Sequence, residues 1–206
     1  MVFIRYSAIP PSSELYSRLQ SEKALNFLVD FVFTDGGGIF RFFEIDPEEI
    51  DDGFENIVRG YPKIFKSQIE LERVIADLRS LLTLTRQTFP GIEDRTATIE
   101  KSWQEIEQHL VQELLRRQVA KAQEIVQKLL EGDRTFAPNL ILPGEYESLM
   151  LRSREIVSEG ASLFRQIDPK TLFADNEGWY LDDLEDLKQL YLDADEHNEV
   201  ILVGSS

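Results

Sequence analysis

"WYLDDLEDLKQLYLDADEHNEVILVG", residues 179–204, is the stretch whose reading decides the fold class. Its first part places Leu184, Leu187, Tyr191 and Ala194 on one side of a helix, with Asp182, Asp186, Gln189 and Asp193 on the other. Its last part, EVILVG at 199–204, is a short apolar run that reads as a buried strand. The opposite end behaves alike. "VFIRYSAI" at 2–9 alternates, is rich in β-formers and stops at Pro10-Pro11. Both ends are therefore strands, and the residues between them must supply the helices.

Ser12 or Ser13 can cap a helical segment, broken or double, whose apolar positions run from Leu15 to Val32. Gly36-Gly37-Gly38 ends it, and "IFRFFEI" at 39–45 predicts a further strand. Ser67 with Glu70 forms a capping box ahead of a stripe through Leu71, Val74, Ile75, Leu78 and Leu82. After the breaker "FPGIEDR" at 89–95, helical spacing runs from Thr98 to Glu131, about 50 Å of helix at ~1.5 Å per residue. A helix that long either kinks near Arg116-Arg117 or projects and pairs with the preceding one, which predicts a long hairpin over 67–131. "FAPNLILPGE" at 136–145 reads as a loop or short extended piece, a helix is expected over roughly 145–160, and Asp46-Pro47 and Asp168-Pro169 each mark a capped helix start. The expectation is an α+β, helix-dominated single domain over 1–206, with a small sheet of about three short strands and the long hairpin.

The net charge of −16 is concentrated in two places. Residues 44–55 hold seven acids and no base, and residues 175–199 hold ten acids against Lys188 alone. Such a field repels phosphates and offers no basic patch, which argues against nucleic-acid binding and against anionic membranes. Zero cysteines exclude thiol chemistry, disulfides and thiolate-bound zinc, and no apolar run approaches the ~20 residues of a membrane span. The sequence expectation is a soluble, cytoplasmic protein.

Chemical motifs fail one by one. The three glycines lead into an aromatic run with no lysine or G-K-[ST] after them, so they do not form a phosphate loop. Setting Gly53 at the sixth position of a calcium loop puts Ile50 and Arg59 where acids are required. Asp193, Asp195 and Glu199 fail the same test, because Asn198 and Gly204 take the glycine and glutamate positions. Glu105, His109 and Glu113 share one helical face and could form the edge of a metal site, although this spacing is common in a charged helix. No catalytic residue, metal ligand or cofactor is assigned. Trp179, at the start of the acidic helix, suits an interface anchor, or with Tyr180 a staple onto the core.

"IEKSWQEIEQHL" at 99–110, "SLFRQIDPKTL" at 162–172 and the closing 179–204 stretch resemble the YfbM-like family, small bacterial proteins classed as a domain of unknown function. The resemblance rests on a Lys-x-Trp helix and on the Leu187, Lys188, Tyr191 pattern followed by an apolar strand. It implies an α+β single domain and brings no reaction, cofactor or catalytic residue.

Three functional expectations remain. The first is a non-catalytic, immunity- or inhibitor-like module that binds a basic protein through Glu48, Glu49, Asp51, Asp52, Trp179, Asp182, Asp183 and Asp186. The second is a metal-assisted hydrolase using clustered carboxylates with His109 or His197. The third is a self-associating helical module built on the 67–131 hairpin, with Leu78 and Leu110 at its seam.

Overall fold

A computed structural model describes residues 4–35, 38–43, 64–100, 103–136, 149–173 and 179–205. Strand β1 (Ile4–Ile9) ends where Pro10 can no longer donate to a ladder. Ser13 then caps α1 (Glu14–Ser21): its Oγ accepts the N–H of Tyr16 at 3.1 Å and donates to the carbonyl of Pro10 at 2.7 Å. Helix α2 (Lys23–Asp35) follows directly.

Residues 39–43 of the expected 39–45 strand do not form one, and 44 and 45 lie outside the described residues. Ile39–Phe43 is a 3-10 turn, held by the Phe40 carbonyl accepting from Arg86 Nη2 at 3.0 Å and by the Arg86 guanidinium 4.7 Å from the Phe43 ring centre. Ile39, Phe40 and Phe42 are all buried, and a tight turn inserts three such neighbours into one core where a strand would send alternate ones outward.

Helix α3 (Gln68–Thr88) begins at Ser67, whose Oγ accepts the Glu70 N–H at 3.2 Å. The reciprocal half of the box is displaced by one residue, since the Glu70 carboxylate accepts from Lys66 N–H at 2.6 Å. Gly91, at φ 78°, turns the chain through a second 3-10 segment (Ile92–Asp94) into β2 (Thr96–Ile99).

The long helix expected over 98–131 is corrected here. Its first residues pair with β1, and the rest divides into α4 (Trp103–Arg116) and α5 (Ala122–Glu131). The break has a physical cause: Val119 N–H reaches the Leu114 carbonyl and Gln118 N–H reaches that of Leu115, with Gln118 left-handed at φ 60°. That is a Schellman closure, and Arg116-Arg117 lies inside it. Helices α4 and α5 pack on each other, whereas the apolar side chains of α3 enter a different core cluster. The hairpin therefore spans 103–131, and the 67–131 pairing is not formed.

Two short strands follow, β3 (Arg134–Thr135) and β4 (Met150–Arg152). Next come α6 (Arg154–Phe164), α7 (Pro169–Leu172), α8 (Trp179–Glu196) and β5 (Val200–Ser205). The helix expected from about 145 starts at Arg154, and residues 137–148 of that reading lie outside the described residues. Asp168 caps α7 as expected, its Oδ1 accepting from Lys170 N–H at 3.1 Å with Pro169 at the first helical position. Asp46-Pro47 lies outside the described residues.

The sheet has five strands in the order β2-β1-β5-β4-β3, where about three were expected, and all its pairs are antiparallel. Along β1 and β5, Tyr6, Ala8, Ile201 and Val203 face a core completed by α4, α5, α6 and α8. Ile9, Val200 and Leu202 face the other core, with α1, α2 and α3. Burial on both faces explains the unbroken apolar run at the C-terminus. Gly204 permits the close approach of α2, since a Cβ there would stand 3.0 Å from Phe33. The architecture is α+β, with helices on both faces of an antiparallel sheet.

Candidate functional site

Helix α8 stands against the sheet through Leu184, Leu187, Leu190, Tyr191 and Ala194, all buried. The 3.6-residue repeat then turns Asp182, Glu185, Asp186 and Glu196 outward. Glu185 has one distant cation, Lys170 at 3.9 Å. Asp182 and Asp186 have no ion-pair partner among the described residues. Lys188, the single base of the segment, spends its ammonium on the Ile167 carbonyl at 2.8 Å. Toward the C-terminal end, Asp195 is held by Arg165 at 2.8 Å, which lowers its pKa.

The sequence-predicted residues thus fare differently. Asp182 and Asp186 form part of one exposed ridge, to which the structure adds Glu185. Asp183 is half-buried, and its Oδ2 accepts from the Glu100 N–H at 3.3 Å, so it ties the end of β2 to α8. The Trp179 side chain, and Glu48, Glu49, Asp51 and Asp52 entirely, lie outside the described residues. Tyr180 fulfils the staple reading: its ring stacks on Phe173 at 5.9 Å.

The expected metal edge is otherwise engaged. His109 packs edge-on against Phe173 with ring centres 4.8 Å apart. Glu113 binds both Arg116 and Arg117, and these hydrogen bonds hold its carboxyl well below the usual range, at about 2. His197 is exposed, with Nδ1 2.8 Å from the Asp193 carbonyl. Among the described residues no group of three His, Asp or Glu side chains could hold a metal ion, and no helix is long and apolar enough to cross a membrane. Leu78 and Leu110 are each fully buried, in different cores, and so do not form a common exposed seam.

A second polar constellation was not legible in the sequence. Arg152 of β4 is 0% exposed, among the core residues of the α8 face. Its Nε donates to the Leu129 carbonyl, which also accepts from Tyr191 Oη at 2.7 Å. Tyr6 Oη donates to the neighbouring Leu130 carbonyl at 3.2 Å. These carbonyls belong to the last turn of α5, where no intrahelical N–H is left to meet them. A strand arginine and two tyrosines therefore cap this helix from outside.

The same geometry stabilises the buried charge. The guanidinium carbon lies 4.6 Å from the Tyr6 ring centre and 5.8 Å from that of Tyr191. Each ring face contributes about 0.5–2 kcal/mol, and the negative end of α5 adds up to ~2 kcal/mol in a partly buried setting. Burial pushes the Tyr6 hydroxyl up to about 12 and raises that of Tyr191 as well, so both remain neutral donors. Only Gly160 of α6 leaves room for this packing: a Cβ there would fall 2.5 Å from Tyr191 Cε1 and 2.7 Å from Leu129 Cδ2. Near the start of β5, Glu199 is likewise buried and pairs with Arg95, with burial raising its pKa against the pull of that arginine. Comparison of the chain with protein-family models, curated proteins and solved structures finds no match.

Proposed function

We propose that the protein is an acidic protein-binding module, immunity- or inhibitor-like in kind, that meets a basic protein through the exposed ridge of α8. The observation that carries this reading is the exposed row Asp182, Glu185 and Asp186, three carboxylates on adjacent turns that face one distant cation, Lys170, among the described residues, on a helix whose opposite face is locked into the core. A rigid helix presents its charges without the ordering entropy that a loop would lose on binding. Like charges placed so close repel one another, and an incoming cationic surface relieves that repulsion. The acids of 44–55 contribute to the same net charge of −16.

The test is affinity capture with the full chain and with a D182N/E185Q/D186N variant, at low salt and at about 0.5 M salt, where the Debye length shrinks to roughly 4 Å. A basic protein retained by the wild type at low salt, released at high salt and lost by the variant supports the reading. Equal retention by the variant removes the ridge as the binding surface. An E48Q/E49Q/D51N/D52N variant in parallel reports whether the first acidic segment takes part.

A further inference from the structure

We propose that Arg152 is the receptor of an internal small-anion site, taking a halide ion or a carboxylate of one or two carbons on its two Nη groups. The argument begins with what is already spent. The Nε of Arg152 and the hydroxyls of Tyr6 and Tyr191 all donate to the carbonyls of Leu129 and Leu130. Among the described residues Nη1 and Nη2 have no partner in hydrogen-bond geometry, although the residue is 0% exposed and its charge acts on the nearby Tyr6 hydroxyl, lowering that group's pKa against the effect of burial. An arginine cannot shed its charge as a buried lysine or carboxylate does, so desolvation must be answered by a partner.

The aromatic rings do not supply that partner. A ring face attracts the guanidinium from above its plane, whereas the Nη–H bonds point outward within the plane. Both Nη groups therefore keep their directions of donation while the rings and the α5 carbonyl hold the rest of the group still. A fixed planar fork of donors suits a carboxylate or a single monatomic anion. The surroundings set its charge. One guanidinium neutralises one negative charge, and a doubly charged oxyanion would bring a larger desolvation cost into an apolar core that includes Leu129, Leu130 and Ile201. Water could accept from the same donors without cancelling the charge, which is what the experiment distinguishes.

The experiment uses the full chain at fixed ionic strength, replacing gluconate, a bulky and heavily hydrated anion, by bromide or formate while the melting temperature is followed. An ion that binds the folded state alone raises Tm saturably, by about 3–5 °C at roughly ten times its dissociation constant for a chain of this size. Arg152→Met, similar in bulk and uncharged, loses that response. Equal Tm in all three anions, or the same rise in Arg152→Met, overturns the proposal. Bromide-soaked crystals of the wild type give a second reading that does not depend on the variant folding. An anomalous peak within about 3.5 Å of Nη1 or Nη2 supports the site. Bromide at the surface only, or water alone beside Arg152, refutes it.

Discussion

Replacing Gly160 by alanine sets two physical effects against each other, and the structure decides which wins. Within a helix such as α6, alanine is intrinsically better than glycine by about 0.8–1 kcal/mol. The new methyl group, however, would stand 2.5 and 2.6 Å from two ring carbons of Tyr191 and 2.7 Å from Leu129 Cδ2. Carbon atoms at rest are ~3.5–4.0 Å apart, so the ring or the helix must retreat by about 1 Å. Tyr191 is poorly placed to retreat: its hydroxyl holds the Leu129 carbonyl at 2.7 Å and its face adjoins Arg152. Overpacking of this kind costs ~1–3 kcal/mol, and loss of the hydroxyl bond adds about 1 kcal/mol. The expected net effect is a destabilisation of about 2 kcal/mol, or roughly 4–8 °C in Tm for a chain of this length. Urea unfolding followed by circular dichroism should show a lower midpoint with an unchanged slope. A variant as stable as the wild type, or more stable, would refute the close approach of α6 to Tyr191.

Two further outcomes follow from buried polar groups. Asp30, 5% exposed in α2, has its pKa raised by burial from 3.8 to about 7. Between these values the folded chain binds a proton that the unfolded chain does not, so stability falls as pH rises through about 4 to 7, and the whole penalty is present above 7. Asp30→Asn should gain on the wild type across that window by on the order of 3 kcal/mol, measured by denaturant unfolding at pH 4, 6 and 8; parallel curves would refute the shift. Ser13→Ala removes the cap of α1 and strands the Tyr16 N–H, while the Pro10 carbonyl keeps the Ser13 backbone N–H at 3.0 Å, at a cost of about 1 kcal/mol. Ser13→Thr should recover most of that loss, and an alanine variant within about 0.3 kcal/mol of the wild type would show that the cap contributes nothing.

Local signals determined much of the chain. The caps at Ser13, Ser67 and Asp168, the strand at each terminus and the apolar stripe of α8 are written in neighbouring residues, because capping and helical periodicity act over three or four positions. The exposed acids Asp182 and Asp186 were legible for the same reason. Residues 39–43 carry strand-forming side chains, yet they turn because Arg86, 46 positions from Phe40 in the chain, holds that carbonyl and α3 covers their rings. Thr98 and Ile99 continue a helical pattern on paper, yet they extend because β1 offers them a ladder. Asp183 looks like its acidic neighbours and is set apart by the N–H of Glu100. Arg152 carries no local mark of burial at all, since arginine is ordinarily a surface residue. The carbonyls of α5 and the rings of Tyr6 and Tyr191 make its buried position tolerable, and those groups come together only when strands and helices far apart in sequence are packed.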